Sequence, residues 1–150
     1  MQKNPYETAV ALLARREHSR LELFQKLKAK NFSTETIEQT LDQVRDKGLQ
    51  SDQRFVESYV HWRIQSGFGP RLIAMELKQR GVSEDLVTQY LYSHDRAFWK
   101  NRLQLIWQKR FKTKTKEPKA YAKQYRHLLH KGFEPDLIQL FLSDKNYEDE

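Results

Sequence analysis

The stretch Leu77-Lys78-Gln79-Arg80-Gly81-Val82 decides the fold, because its pattern occurs three times in the chain. Each copy has a leucine and, three residues later, a basic residue, then Asn or Gly, then an apolar residue. The other two copies are residues 27–32 and 128–133, so the offsets between copies are 50 and 51 residues. A repeat at a fixed spacing of this length is typical of arrays of small helical units.

Each copy has the chemistry of one helix end followed by another helix. A cation suits the negative C-terminus of a helix, and Asn or Gly tolerates the left-handed backbone that often ends it. After each copy, two apolar residues stand four positions apart, on one face of the next helix. These pairs are Ile37 with Leu41, Val87 with Leu91, and Ile138 with Leu142.

Other residues indicate where helices begin. Ser19 and Glu22 have the spacing of a capping box, and Ser33 and Ser83 suit the N-cap of the helices that follow them. Pro70 suits the first position of a helix, where its missing N–H costs nothing. No segment shows the sustained period-two alternation of a strand.

We therefore predict an all-α fold of three tandem three-helix repeats, over residues 1–48, 49–93 and 94–150. Hydrophobic residues make up 38% of the chain, which is low for one compact core and favours an elongated, curved array. The third repeat matches less well than the others, because Gln124 stands where they have Leu23 and Ile73.

Composition argues against several classes of protein. The chain has no cysteine, so it has no disulfide framework and no thiolate metal site. It has no apolar run of membrane-spanning length and no signal-peptide pattern, so we expect a cytoplasmic protein without membrane contact. The segment Gly67-Phe68-Gly69-Pro70 is too short for a phosphate loop and follows a helix, so we interpret it as a turn.

The sequence shows no convincing catalytic or metal site. His127 and His130 are three residues apart on one predicted helix, a spacing that permits a shared metal ion. No third ligand is evident, so a structural role is favoured. Acidic residues are scattered and not clustered as a two-metal nuclease requires. We predict a protein that is not an enzyme and has no cofactor or metal.

Positive charge is concentrated late in the chain. The net charge is +7, yet residues 96–131 hold twelve basic residues against one acidic residue, Glu117, a local charge of +11. Such a block repels itself unless a polyanion or an acidic surface meets it, although a solvated helix face is the alternative. We predict binding through the cations that run from a helix end into a loop, namely Lys109, Arg110, Lys112, Lys114 and Lys116.

Two further groups of arginines are secondary candidates for the same binding. Arg63 and Arg71 flank the central turn, and Arg15, Arg16 and Arg20 belong to a smaller basic cluster that neighbouring glutamates partly offset.

Four aromatic residues interleave with the basic segment. Aromatic rings can stack on exposed bases, but rings at helical spacing are more often part of a core. We favour the core for these residues, which are Trp99, Trp107, Tyr121 and Tyr125.

Three runs of residues resemble the RecX regulatory proteins. They are Ser19-x-x-Glu22-Leu23-x-x-Lys26-Leu27, then Gly48-Leu49-x-Ser51-Asp52-x-x-Phe55-x-x-x-Tyr59, then Arg63-x-x-x-Gly67-x-Gly69-Pro70-x-x-Ile73-x-x-Glu76-Leu77-x-x-x-Gly81-Val82. The resemblance covers residues 10–92 well and the third repeat more weakly. The family usually has Tyr-Leu-Asp-Asp-type residues where this chain has Leu49-Gln50-Ser51-Asp52, a difference confined to a local turn.

The resemblance implies an elongated, curved, three-repeat helical protein that binds in the groove of the RecA recombinase filament. It also implies inhibition of RecA ATPase and strand exchange in recombination and repair, with weaker affinity for single-stranded or double-stranded DNA. We expect a monomer. Two alternatives remain open: a sequence-specific helix-turn-helix DNA-binding protein, and a helical scaffold for another protein partner.

Overall fold

The computed structural model describes residues 4–144, and within this range the chain forms nine α-helices and no strand. In chain order the helices are α1 (Pro5–Arg15), α2 (Arg20–Ala29), α3 (Thr34–Asp46), α4 (Asp52–Gln65), α5 (Pro70–Gln79), α6 (Glu84–Leu91), α7 (Arg96–Arg110), α8 (Pro118–His130) and α9 (Pro135–Ser143). The prediction of an all-α fold is confirmed.

The helices begin where the sequence predicts. Ser19 Oγ accepts a hydrogen bond from the Glu22 N–H, and the Glu22 carboxylate accepts one from the Ser19 N–H, both at 3.1 Å, which completes the capping box. Ser33 Oγ and Ser83 Oγ each accept from the N–H three residues further on, at 3.2 and 3.3 Å. Pro70 is the first residue of α5. These caps pair N–H groups that no helix carbonyl can reach.

The three repeated turns have the predicted left-handed backbone. The φ angle is 71° at Asn31, 76° at Gly81 and 100° at Gly132. The leucine three residues before each turn's basic residue has no exposed surface, and the six apolar positions of the following helices are all buried. The repeat register derived from the sequence is therefore also the register of the core.

The helices are grouped into two compact units. Unit 1 consists of Met1–Val60 and Glu76–Tyr90, and unit 2 consists of His61–Met75 and Leu91–Glu150. Helices α4 and α5 therefore contribute residues to both units, so this grouping differs from a division into three consecutive repeats.

Unit 1 has a core formed largely by its first three helices, with half-buried aromatic and leucine side chains around it. Within this unit the start of α2 packs closely against the turn that follows α5. Ser19 Oγ donates a hydrogen bond to the Arg80 carbonyl oxygen at 2.8 Å. A Cβ added to Gly81 would lie only 2.7 Å from Leu21 Cδ2, so this contact requires glycine.

Unit 2 contains the same contact between a helix start and a glycine turn, one repeat later. The Gly69 N–H donates to the Lys131 carbonyl oxygen at 2.8 Å, and the Arg71 N–H donates to the Gly132 carbonyl oxygen at 2.9 Å. A Cβ added to Gly132 would lie 2.5 Å from Leu72 Cβ. In both units, the start of one repeat's second helix therefore meets the turn after the second helix of the next repeat.

Gln124, the position where the third repeat departs from the pattern, is buried although it is polar. Its Oε1 accepts a hydrogen bond from Trp107 Nε1 at 2.9 Å, and its Nε2 donates to the Thr113 carbonyl oxygen at 3.0 Å. A buried amide is tolerated when its polar atoms are paired. Gln124 therefore occupies the core position of the repeat, and its hydrogen bonds link α7, the following loop and α8.

We predict that Leu77→Ala lowers the free energy of unfolding by about 2–5 kcal/mol, because it leaves a cavity at a fully buried core position. Leu140→Ala removes the same atoms from a leucine that is half exposed, and it should change stability by no more than about 0.5 kcal/mol. Urea unfolding followed by circular dichroism measures both. Equal stability of the two variants would contradict the repeat register.

We also predict that Gly81→Ala destabilises the protein more than Gly48→Ala does. Both glycines have positive φ, at 76° and 74°, so both substitutions carry the left-handed strain of about 1–2 kcal/mol. A Cβ at Gly48 meets nothing within 4 Å, whereas a Cβ at Gly81 collides with Leu21 and adds about 1–3 kcal/mol of overpacking. Urea unfolding of the two variants measures the difference, and equal losses would show that the turn is not held by packing.

Candidate binding surface

The basic segment, residues 96–131, forms α7, the loop after it and α8, all within unit 2. Its cations divide into those that hold unit 2 together and those that are exposed. This division decides which of them are available to a partner.

Three cations of α7 contact other parts of unit 2. Arg96 Nη1 is 3.2 Å from Asp136 Oδ2, in an exposed ion pair, and Lys100 Nζ is 3.7 Å from Asp144 Oδ2. Arg102 Nη2 donates a hydrogen bond to a carbonyl oxygen of α4 at 2.8 Å. These contacts connect α7 with both ends of α9 and with α4.

Lys114 lies apart from the other four cations of the predicted binding set, because it is buried with 9% of its surface exposed. Its Nζ donates to the Asp144 carbonyl oxygen at 3.0 Å and lies 4.0 Å from the centroid of the Phe141 ring. These contacts hold the loop against the end of α9. The structure therefore gives Lys114 a structural role, although it stands between two exposed lysines in the sequence.

The other four predicted cations, Lys109, Arg110, Lys112 and Lys116, are exposed. Arg110 Nη1 is 3.2 Å from His127 Nδ1. Burial lowers the pKa of His127, and the charge of Arg110 lowers it further. A neutral imidazole accepts a hydrogen bond from Arg110 but does not cancel its charge, as a carboxylate would. The positive charge of Arg110 therefore remains available.

Helix α8 adds three exposed cations that the sequence analysis did not select. Lys119, Lys123 and Arg126 recur at i, i+4 and i+7, so they share one face of the helix. This spacing is visible in the sequence, and it could have identified them. We use the name basic surface for the seven exposed cations Lys109, Arg110, Lys112, Lys116, Lys119, Lys123 and Arg126.

The basic surface has little internal neutralisation. Among residues 4–144, the salt bridges of unit 2 involve other cations, and they leave all seven members of the basic surface without a carboxylate within 4.0 Å. Exposed like charges of this density favour contact with a polyanion, because each such contact relieves repulsion and releases counterions.

Five of the six arginines of unit 1 form salt bridges with carboxylates, unlike the cations of the basic surface. Arg16 Nη1 is 3.1 Å from Glu22 Oε1, and Arg20 Nη2 lies 2.9 and 2.8 Å from two carboxylates of α3. Arg15 is exposed and lines a cavity of about 380 Å³ beside the turn at Asn31. Unit 1 therefore presents less uncompensated charge than the sequence suggested for Arg15, Arg16 and Arg20.

Arg63 and Arg71, the two candidates beside the central turn, are both in unit 2. The Arg63 guanidinium carbon is 3.8 Å from the centroid of the Phe68 ring and 5.1 Å from that of Trp62. Arg71 Nε is 4.0 Å from Glu134 Oε2 and the arginine is exposed. The turn therefore places aromatic rings among the cations, which the sequence analysis did not foresee.

The aromatic residues of the basic segment divide between core and surface layer. Trp99 and Trp107 are 6% and 8% exposed, which confirms that they belong to the core. Tyr121 and Tyr125 are half-buried, with ring centroids 6.3 Å apart. The tryptophan that is exposed is Trp62, at 57%, outside the segment that the sequence analysis considered.

Two features are absent from the part of the chain that the structure describes. Residues 4–144 contain no group of three or more His, Cys, Asp or Glu side chains that could hold a metal ion. In the same range, none of the helices combines the length and the apolar composition that a membrane crossing requires.

The fold and the surface place the chain in the class of all-helical repeat proteins with a basic surface. Models of the RecX family match all three repeats: the first three-helix domain at residues 6–43, the second at 51–91 and the third at 101–142. The chain belongs to the RecX family. The match at the third domain extends the resemblance to the part of the chain where the sequence pattern is weakest.

Individual relatives are similar over most of their length. Regulatory protein RecX of Pseudomonas putida (strain GB-1) is 39% identical over 143 residues, covering 95% of this chain and 91% of its own. Regulatory protein RecX of Legionella pneumophila (strain Corby) is 40% identical over 136 residues, covering 89% of each chain. The crystal structure of RecX from Lactobacillus salivarius has a TM-score of 0.80 at 21% identity and covers 95% of each chain, which supports the fold.

We predict that Lys112→Gln with Lys116→Gln weakens binding to single-stranded DNA and flattens its salt dependence. Each lost phosphate contact should reduce the slope of log K against log salt by about 0.7. A control with Lys28→Gln and Lys78→Gln removes the same charge from exposed positions of unit 1 and should leave the slope unchanged. Fluorescence anisotropy across a salt series measures both.

Two other outcomes would contradict the assignment of the DNA contact to the basic surface. If both double variants lose affinity equally, net charge alone attracts the DNA. If neither changes, the basic surface is not the contact, and the cluster of Arg15, Arg16 and Arg20 becomes the next candidate.

Proposed function

We propose that this protein binds the RecA recombinase filament and inhibits its ATPase and DNA strand exchange, as a regulator of recombination and repair. The observation that carries the proposal is the match of RecX domains to all three repeats, together with relatives that are called regulatory proteins. A cytoplasmic location and a monomeric state are part of the proposal.

The basic surface supports a polyanionic target. A RecA filament assembled on single-stranded DNA contains the phosphates of that strand. A partner gains from contact with them through seven exposed cations that have no carboxylate within 4.0 Å among residues 4–144. In this proposal the contact includes the basic surface of unit 2, and the paired charges of unit 1 contribute less. Acidic residues of RecA are the alternative target for the same cations.

We propose that inhibition is stoichiometric and does not involve chemistry on the substrate. The side chains of the basic surface are lysines and arginines, which bind anions through their charge and their N–H donors. Such a surface suits occupation of the filament. The amount of inhibition should then follow the ratio of this protein to RecA.

Binding that bridges neighbouring RecA subunits would make the assembled filament the preferred target. Tandem repeat proteins distribute their contacts over successive units, so several repeats can contact several subunits. RecA that cannot polymerise offers only one subunit at a time, and its affinity should be far lower.

We predict that the protein lowers DNA-dependent ATP hydrolysis by RecA in proportion to the amount added. Lys112→Gln with Lys116→Gln should shift the inhibition curve to higher protein concentration, whereas Lys28→Gln with Lys78→Gln should not. Steady-state ATPase assays, with pull-down of filament and of non-polymerising RecA, provide the measurements. Unchanged ATPase activity at saturating protein, or equal affinity for the two forms of RecA, contradicts the proposal.

The same experiments separate the alternatives. A helix-turn-helix regulator would bind one DNA sequence preferentially without RecA, because base contacts give its specificity. A scaffold for another protein would show neither DNA affinity nor an effect on RecA.

A further inference from the structure

Unit 2 carries an exposed tryptophan at the end of a row of alternating rings and cations. Trp62 is 57% exposed, and the Arg63 guanidinium carbon is 5.1 Å from the centroid of its ring. The same guanidinium lies 3.8 Å from the centroid of the Phe68 ring, and Lys131 Nζ lies 4.9 Å from that ring. We use the name aromatic–cation row for Trp62, Arg63, Phe68 and Lys131.

The backbone holds this row in place through two turns. Gly67, at φ 95°, closes α4, and the Phe68 N–H donates to the Arg63 carbonyl oxygen at 3.1 Å. The Gly69 N–H donates to the Lys131 carbonyl oxygen at 2.8 Å. Phe68 therefore sits between the two backbone segments that carry Arg63 and Lys131. A binding site positioned by fixed elements loses little entropy when a ligand arrives.

The exposure of Trp62 is unusual for its helix. Helix α4 buries five apolar residues at helical spacing, and Trp62 lies off that stripe on the solvent side. A tryptophan is among the largest apolar side chains, so an exposed one forgoes the burial that stabilises its neighbours. Its position on the surface beside Arg63 is typical of a recognition site.

The chemistry of the row selects a partner with flat rings and negative charge. An exposed indole stacks on an unpaired base, because every base has a π-face, and neighbouring cations contact the flanking phosphates. Arg71, exposed on the first turn of α5 in the same unit, adds a further cation after the central turn, which Arg63 precedes. Bases of a duplex are already stacked, so only a single strand offers a free face.

We propose that the aromatic–cation row is a binding site for an unstacked nucleobase of single-stranded DNA, with Trp62 as the stacking residue and Arg63 and Lys131 as phosphate contacts. The proposal rests on the DNA affinity included in the proposed function. It goes beyond that function by adding recognition of bases to the phosphate contacts of the basic surface. Trp62 then determines the preference for single strands, and the basic surface together with Arg63 and Lys131 determines the salt dependence.

The test compares a thymine oligonucleotide with an abasic oligonucleotide of the same length, which has the same phosphates and no bases. We expect the full-length protein to bind the thymine strand more tightly. Trp62→Ala should bind the thymine strand on the order of 5- to 150-fold more weakly, the factor that loss of one stacked base implies. It should keep its affinity for the abasic strand. Fluorescence anisotropy of labelled strands measures the affinities.

Two matched variants serve as controls. Trp62→Phe keeps an aromatic face and should retain most of the preference for the thymine strand. Leu105→Ala truncates another exposed apolar residue of unit 2, at 48% exposure, and should behave like the unmodified protein. Stacking of a thymine on Trp62 should quench the intrinsic fluorescence. The buried Trp99 and Trp107 are shielded and should contribute little to this change. Circular dichroism checks that each variant is folded.

The outcomes separate this proposal from the proposed function. Equal affinity of Trp62→Ala and the unmodified protein for the thymine strand overturns the nucleobase site, whatever the effect on RecA. If Trp62→Ala binds DNA normally and fails to bind RecA filament, the row is a contact for protein, and the proposal is also wrong. If base-dependent binding is lost in Trp62→Ala while the protein has no effect on RecA ATPase, the nucleobase site stands and the RecA function fails.

Discussion

The close approach of a helix start to a left-handed glycine turn is the contact on which the rest of the structure depends. In unit 1 it joins Ser19 to the carbonyl of Arg80, and in unit 2 it joins Gly69 to the carbonyl of Lys131, both at 2.8 Å. Neither Gly81 nor Gly132 has room for a Cβ. These glycines therefore serve two physical needs, because they permit positive φ and they allow the close approach of Leu21 in unit 1 and of Leu72 in unit 2.

This contact also organises the candidate sites. The turn that receives Gly69 carries Lys131, and the residue before Gly69 is Phe68, so one backbone junction fixes a ring beside a cation. Arg102 secures the end of α4, next to Arg63, by its hydrogen bond at 2.8 Å. The residues that form the junction are mostly glycine and apolar residues. The residues that would contact a partner project from it.

The distribution of paired and unpaired charge links the fold to the proposed function. Unit 1 neutralises Arg16 and Arg20 with nearby carboxylates, whereas the salt bridges that residues 4–144 form within unit 2 involve cations outside the basic surface. Unit 1 holds 12 lysines and arginines against 12 acidic residues, and unit 2 holds 15 against 8, so the excess of positive charge lies in unit 2. In the proposed function a polyanion meets this local excess, which the net charge of the chain does not reveal.

The sequence by itself determined the helices, their caps, the left-handed turns, the repeat register and the family, because these depend on residues within a few positions of one another. Only the tertiary structure decided which cations are available. Lys114 is buried and donates a hydrogen bond to the carbonyl oxygen of Asp144, thirty positions away, while Lys112 and Lys116 stay exposed. Tertiary packing also placed Trp62 on the surface beside Arg63. Its position off the buried stripe of α4 was readable in the sequence. Phe68 and Lys131, however, are brought together by hydrogen bonds between distant turns, which no local pattern records.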